Sequence, residues 1–242
     1  MLTAQVDLKG ELTSFVLISS GREFAAGPMN HFRLFKDVPR IFDAWDIDSN
    51  YTEQEITAAE DVHCEIEETG GFRAVLRVSG RIAHSVFTQR IILEAQSERI
   101  LFETQIDWQE LHWLLKVSFP VNVYATEGIN EMQFGCVRRP TMRSTQYEKD
   151  RFEVCNHRYS ALFDESHGAA VLNDCKYGIS MNGNALELTL LRAAVTTTIR
   201  TPFAHRAWSC DLRENKEEEL TVSDGEVRLL FGAFEIRTVR LA

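Results

Sequence analysis

Most of what would mark a simple functional class is missing from this sequence. Its 242 residues include only 13 glycines and 5 prolines, too few for a collagenous chain or a disordered linker. Positive charge is also scarce. Against 36 acidic residues stand 26 basic ones, a formal net charge of −10, which argues against a nucleic-acid partner, since phosphate binding needs concentrated positive charge. The pair Arg138 and Arg139 is the nearest approach to a basic patch. No window reaches the ~20 apolar residues of a membrane helix. Met1 to Gly10 has neither the basic segment nor the apolar core of a secretory signal. Phosphate-cradling glycine loops and the G-x-S-x-G nucleophile elbow are absent. The cysteines Cys64, Cys136, Cys155, Cys175 and Cys210 are odd in number and form no C-x-x-C pair. They read as buried, reduced thiols of a soluble cytoplasmic chain.

What is present is alternation. Hydrophobic residues make up 44%, and in many stretches they alternate with polar ones, the period of a strand with one buried face. Thr3–Leu8 and Leu12–Ser19 flank a turn at Lys9–Gly10, and Val62–Glu68 and Phe72–Ser79 flank Gly70–Gly71, both hairpin signals. Arg81–Glu94, Ile100–Trp108, His112–Tyr124, Met132–Val137, Ala169–Asn173, Ala185–Leu191, Phe203–Cys210 and Val227–Leu241 follow as further strands. Glu53–Asp61 is the nearest thing to a helix, one or two turns long, and the charged run Arg213–Glu219 reads as an exposed loop or hairpin tip. The pattern predicts an all-β chain, one large antiparallel β-sandwich over residues 1–242, rather than a βαβ sheet.

Four constellations could carry chemistry. In Asp43-Ala-Trp45-Asp46-Ile-Asp48, followed by Tyr51, carboxylates could accept hydrogen bonds from sugar hydroxyls while an aromatic face covers a pyranose ring. The same residues also suit a polar turn around a buried Trp. The segment lacks the glycine and distal glutamate of a calcium loop. Asn173-Asp174-Cys-Lys176-Tyr177-Gly178 ends an apolar run with donors and acceptors at a sheet edge, which suits either a ligand site or an Asx turn; Gly178 is expected at positive φ. Arg138 and Arg139 before Pro140 could hold a carboxylate or hydroxyls, or line a solvated loop. Cys155-Asn-His157 lacks the partner spacing of a zinc site.

The same stretches carry a resemblance. Asp43–Asp48 resembles the WDAWDID segment of family 38 α-mannosidases, with Phe42 in place of the first Trp. The run from Asp107-Trp108-Gln109-Glu110 through Leu114-Leu115-Lys116 to Phe119-Pro120 resembles DWHE…LLK..FP, with Gln109 for His. Gln133-Phe134-Gly135, Arg139-Pro140-Thr141 and Phe152-Glu153-Val154 with His157 resemble QFG…RPT…FEV..H. Asn173–Gly178 with Leu188–Arg192 resembles NDCKYG…LTLLR. The blocks follow the family's order over roughly residues 30 to 192. Met142 departs from a usual His, and the stretch 193–200 replaces a Pro/Asp/Gly-containing loop.

The resemblance implies a galactose-mutarotase-like sandwich that forms the C-terminal, non-catalytic portion of a retaining α-mannosidase. The zinc ion and the aspartate nucleophile belong to an N-terminal α/β catalytic domain outside this chain, so no catalytic residue, metal ligand or cofactor is expected here. The implied partners are that domain and a mannose-containing glycan, with association into a homo-oligomer through exposed apolar surface as a further expectation. Asp43, Trp45, Asp46, Asp48, Arg139, Asn173, Asp174, Lys176 and Tyr177 are the residues expected to shape and hydrogen-bond the sugar cleft. Two other readings stay open. One is a free-standing carbohydrate-binding module that stacks sugar on Trp45 or Tyr177. The other is a mutarotase-type enzyme using His157 with Glu153 as acid and base.

Overall fold

The computed structural model describes residues 1–41, 46–56, 59–192, 195–200, 205–210, 215–231 and 238–241. The chain opens with β1 (Leu2–Val6), β2 (Leu12–Leu17), β3 (Arg22–Glu23), β4 (His31–Lys36) and β5 (Glu55–Ile56). A meander follows in β6 (Ala59–Thr69), β7 (Arg73–Ile82), β8 (Ser85–Glu94) and β9 (Ile100–Asp107). Next come β10 (Trp113–Pro120), β11 (Glu127–Met132), β12 (Gly135–Pro140), β13 (Val154–Cys155), β14 (Tyr159–Phe163), β15 (Gly168–Leu172), β16 (Gly178–Asn182) and β17 (Ala185–Arg192). The last strands are β18 (Val195–Arg200), β19 (Ala207–Cys210), β20 (Lys216–Leu220), β21 (Val222–Ser223), β22 (Glu226–Phe231) and β23 (Thr238–Leu241).

All described strand pairs are antiparallel, as expected of an all-β chain. The central sheet runs β13-β16-β17-β10-β4-β5, beside four-stranded sheets β6-β7-β8-β9 and β12-β11-β14-β15. One core joins them. Phe32, Leu34, Leu115, Val117, Leu186 and Leu188 on one face of the central sheet pack with Val78, Phe87 and Ile91 of the meander and Leu162 of β14. Burying these side chains drives the layers together, at about 1.5–3 kcal/mol for each large one. Strands after residue 195 gather around their own small cluster of Ala207, Val227 and Leu229.

Because side chains alternate, the other face of the central sheet carries Arg33, Lys116, Ser118, Glu187 and Thr189, paired across strands by register. It is a polar layer, held together by ion pairs. Lys116, wholly buried in the middle of an apolar strand, binds Glu153 and reaches the Tyr51 hydroxyl at 3.3 Å. Glu153 also accepts from the Thr189 hydroxyl. Arg33 bridges Glu55 and Glu187.

Several sequence expectations are corrected. The helix expected over Glu53–Asp61 is absent from its described residues, 57 and 58 lying outside them: a 3₁₀ turn over Ser49–Glu53 leads into β5, which pairs with β4 while Glu55 binds Arg33. So short a segment cannot nucleate a helix against such competition. Arg81–Glu94 is broken at Ala83–His84, where Ala83 takes φ +53. The turn is held from outside by the buried Glu110, which accepts from His84 N at 2.6 Å and Ser85 Oγ at 2.9 Å. Met132–Val137 turns back at Gln133–Phe134 to form the β11–β12 hairpin. Strands β4, β14, β16 and β18 answer to no strand expected from the sequence, and β11 does so only at Met132. Of the charged run Arg213–Glu219, expected as an exposed loop or hairpin tip, Lys216–Glu219 lie in strand β20 and are exposed as expected; residues 213 and 214 lie outside the described residues, as do 203–204 and 232–237 of the two last predicted strands.

The cysteines are free, but only Cys210 is buried. Cys136, Cys155 and Cys175 are exposed, because they sit on edge strands or in a loop. Gly178 does not adopt positive φ. Its small size serves packing instead, since a Cβ there would meet Glu153 Oε1 at 3.1 Å and Thr189 Cβ at 3.2 Å.

Candidate functional site

Three motif blocks distant in sequence meet at one rim of the β12-β11-β14-β15 sheet. The tip of the β11–β12 hairpin brings Gln133 to within 3.1 Å of the His157 ring. His157 in turn packs edge-on against Tyr177, with ring centroids 5.5 Å apart. Its backbone N–H donates to Glu131 O at 2.9 Å. Asn173 ties the third block in. Its Nδ2 donates to His157 O at 2.7 Å, while its Oδ1 accepts from Lys176 N at 2.8 Å. That second bond is the Asx turn open in the sequence, and it coexists with an exposed loop. Asp174 and Tyr177 are exposed and Lys176 is half-buried.

Arg139 reaches this rim from below. Its Nη1 donates to Asn130 Oδ1 and to Cys155 O at 3.1 Å, while Asn130 Nδ2 donates to Ser160 Oγ at 2.8 Å. The guanidinium therefore ties the hairpin to β13 through buried polar groups. The hairpin tip leaves Phe134 wholly exposed at φ +67, and Leu172 and Tyr177 are exposed as well. In Cys175 the thiol pKa is raised, chiefly by burial and also by a hydrogen bond with Asp174, with Lys176 opposing.

Asp46 and Asp48 belong to a different set of contacts. Asp46 O accepts from Arg192 Nη2, and the same guanidinium pairs with the buried Asp37. Asp48 Oδ2 accepts from Arg40 N and Nε at 3.2 and 3.1 Å. No hydrogen bond or ion pair joins Asp46 or Asp48 to the His157–Tyr177 rim among the described residues. Asp43 and Trp45 lie outside the described residues.

The expected acid–base pair does not form. His157 contacts Gln133 and Tyr177, whereas Glu153 is spent on Lys116 and Thr189. Burial alone would lower the Lys116 pKa, but the field of Glu153 first, then Tyr51, outweighs it and raises the value. Burial would likewise raise Glu110, yet donors from Ser85 and His84 hold it below the usual carboxylate range. Sequence reasoning missed three anchors inside the family-like blocks: Lys116 with Glu153, Glu110 at the Ala83–His84 turn, and Arg192 with Asp37. One signal was available, since a lone lysine in the apolar run Trp113–Pro120 demands a buried partner. Among the described residues, no group of three His, Cys, Asp or Glu side chains is placed to share a metal ion.

Comparison with known proteins gives a consistent result. The family model "Glycosyl hydrolases family 38 C-terminal domain" matches residues 1–200. Alpha-mannosidase 2C1 of Homo sapiens is 38% identical over 200 residues, covering 80% of this chain and 19% of that protein. Alpha-mannosidase G of Dictyostelium discoideum is 36% identical over 195 residues, covering 76% of this chain and 18% of its own length. The chain thus spans about a fifth of these relatives. An α-mannosidase from Enterococcus faecalis V583, solved by crystallography, superposes with a TM-score of 0.65 at 15% identity, over all of this chain and 28% of that one. At that identity the likeness speaks for the fold alone.

Proposed function

The chain belongs to glycoside hydrolase family 38 as a C-terminal domain of its α-mannosidases, and from that premise we propose that it is the non-catalytic β portion of a retaining enzyme. In this reading residues 1–242 seat on a catalytic α/β domain, with the Asn173–Tyr177 rim and the Asp46–Asp48 segment turned toward the sugar cleft. The observation that carries it is the rim itself. Three motif blocks converge there on hydrogen-bonding groups beside exposed Phe134, Leu172 and Tyr177, a combination suited to a domain contact at the edge of a polar cleft. Retaining hydrolysis needs two carboxyl groups about 5–5.5 Å apart across the scissile bond. Two nearby carboxylates are spent on the fold instead, since Glu131 accepts from Arg158 N at 2.7 Å and Glu153 holds Lys116, which leaves Asp174 as the exposed carboxylate of the rim. A zinc ion would belong to the catalytic domain, and the residues described here offer it no ligand set. Five free thiols, three of them exposed, favour a reducing, cytoplasmic setting.

The test is hydrolysis of p-nitrophenyl α-D-mannopyranoside by the purified 242-residue chain, with and without added zinc. The expected result is no turnover above background in either case. Turnover that Asp174→Ala abolishes would give this chain an active site of its own and overturn the reading.

A further inference from the structure

Strand β15 (Gly168–Leu172) is an edge of the sheet β12-β11-β14-β15, and its register against β14 fixes which of its backbone groups are left over. Asp164 N donates to His167 O at 2.9 Å, and Asn173 N donates to Arg158 O at 2.9 Å. Antiparallel ladders alternate between hydrogen-bonded and non-hydrogen-bonded pairs, so the bonding groups of His167, Ala169, Val171 and Asn173 face β14. The N–H and C=O groups of Gly168, Ala170 and Leu172 point the other way, off the edge of the sheet, and all three residues are exposed.

Edge strands are ordinarily guarded by charge, proline or bulges. β6 is interrupted by two register shifts and carries Glu60, Glu65 and Glu67, while β12 carries Arg138 and Arg139 and ends at Pro140. β15 has none of these guards. Its sequence is Gly-Ala-Ala-Val-Leu, and its pairing with β14 runs without a register shift. Two large apolar side chains on the outer face beside this edge are uncovered as well: Leu172 is 68% exposed and Phe163 is 52% exposed. The Phe163 ring lies over Gly168, where a Cβ would collide with it.

We propose that two copies of this chain associate through their β15 edges, antiparallel about a two-fold axis at Ala170, into one continuous sheet. In that register Ala170 meets Ala170 of the partner subunit and Gly168 meets Leu172 of the partner subunit. The leftover groups then satisfy one another in about six hydrogen bonds. Directly opposed residues share a face, so each Leu172 settles over the glycine of the other copy and against its Phe163. That small-against-large match is self-complementary, as a two-fold contact requires. No like charges meet, because the strand is uncharged and His167 falls opposite Asn173 just beyond it. A charged partner strand would find nothing in β15 to pair with. The contact does not rest on the α-mannosidase reading, and it shares only Leu172 with the rim. Its short length makes it weak and reversible.

The test is sedimentation velocity of the 242-residue chain from about 5 to about 500 µM, with amide hydrogen exchange followed by NMR at both ends of that range. The expected result is a monomer–dimer equilibrium with Kd on the order of 100 µM. The amides of Gly168, Ala170 and Leu172 should exchange about threefold more slowly at the high concentration, since only the dimer protects them. Ala170→Lys sets two like charges at the axis, and Ala170→Pro removes a donor that β14 does not use. Each should weaken association by about tenfold or more while leaving the β14–β15 pairing in place. The proposal is overturned if the chain stays monomeric throughout. It is also overturned if a dimer forms while those three amides exchange at an unchanged rate, which would put the contact on another surface, or if both Ala170 variants dimerise as the parent does.

Discussion

Replacing Glu153 with alanine removes the carboxylate bonded to the Lys116 ammonium and leaves that charge wholly buried in strand β10. Breaking a buried ion pair from one side costs about 3–5 kcal/mol. For a chain of this length each kcal/mol moves the thermal midpoint by about 2–4 °C, so Glu153→Ala should lower it by about 6–20 °C. Lys116→Met should cost much less, because Glu153 keeps 13% of its side chain exposed and still accepts from Thr189. The double variant Lys116→Met/Glu153→Ala should come back to within about 2 kcal/mol of the parent, since neither charge remains to be desolvated. The cycle therefore predicts a coupling of about 2 kcal/mol or more. A pH signature separates this from simple packing loss. Without Glu153, burial turns the Lys116 pKa downward, so the unfolded state binds more protons and stability must rise with pH, by at most about 1.4 kcal/mol per unit. In the parent the raised pKa gives the opposite sense: the contribution is present below the unfolded value and lost as pH climbs through the folded one. Urea unfolding from pH 7 to 10 reads the rise in Glu153→Ala, against a parent whose own loss begins only above about pH 10.5 and which should therefore show no slope from this group. Equal midpoints for Glu153→Ala and the double variant, or no pH slope in Glu153→Ala, would refute the reasoning.

Two further outcomes are expected. His31 has its pKa raised above 6.5, chiefly by its hydrogen bond to Glu11, with Lys9, Arg33 and Glu55 the other charged groups around it. Its stabilisation is therefore full below pH 6.5 and is lost as pH rises through the folded value; thermal melts from pH 5 to 9 should show that loss in the parent and a flatter profile in His31→Gln. Gly178→Ala pushes a methyl against Glu153 Oε1 and Thr189 Cβ, which should cost about 1–3 kcal/mol by overpacking. A denaturation midpoint equal to the parent's would show that β13 and β17 can yield there.

The sequence by itself determined the all-β class, because period-2 alternation is a local property of each strand and needs no knowledge of its neighbours. It also located the Lys9–Gly10 and Gly70–Gly71 hairpins, where turn residues and alternation agree. Ordered motifs identified the family, yet they did not say what their polar residues do. Asn173 could have been a turn or a ligand group, and only the fold brings its Nδ2 onto His157 O. Lys116 and Glu153 are 37 residues apart, and Asp37 and Arg192 are 155 apart. Alternation says which face of a strand a side chain occupies. It does not say which strand lies alongside, and β10 sits between β4 and β17 only because the closed core demands that order. The Lys116–Glu153 pair was illegible for the same reason: its partners come from separate strands and a loop, and long-range packing alone sets them face to face.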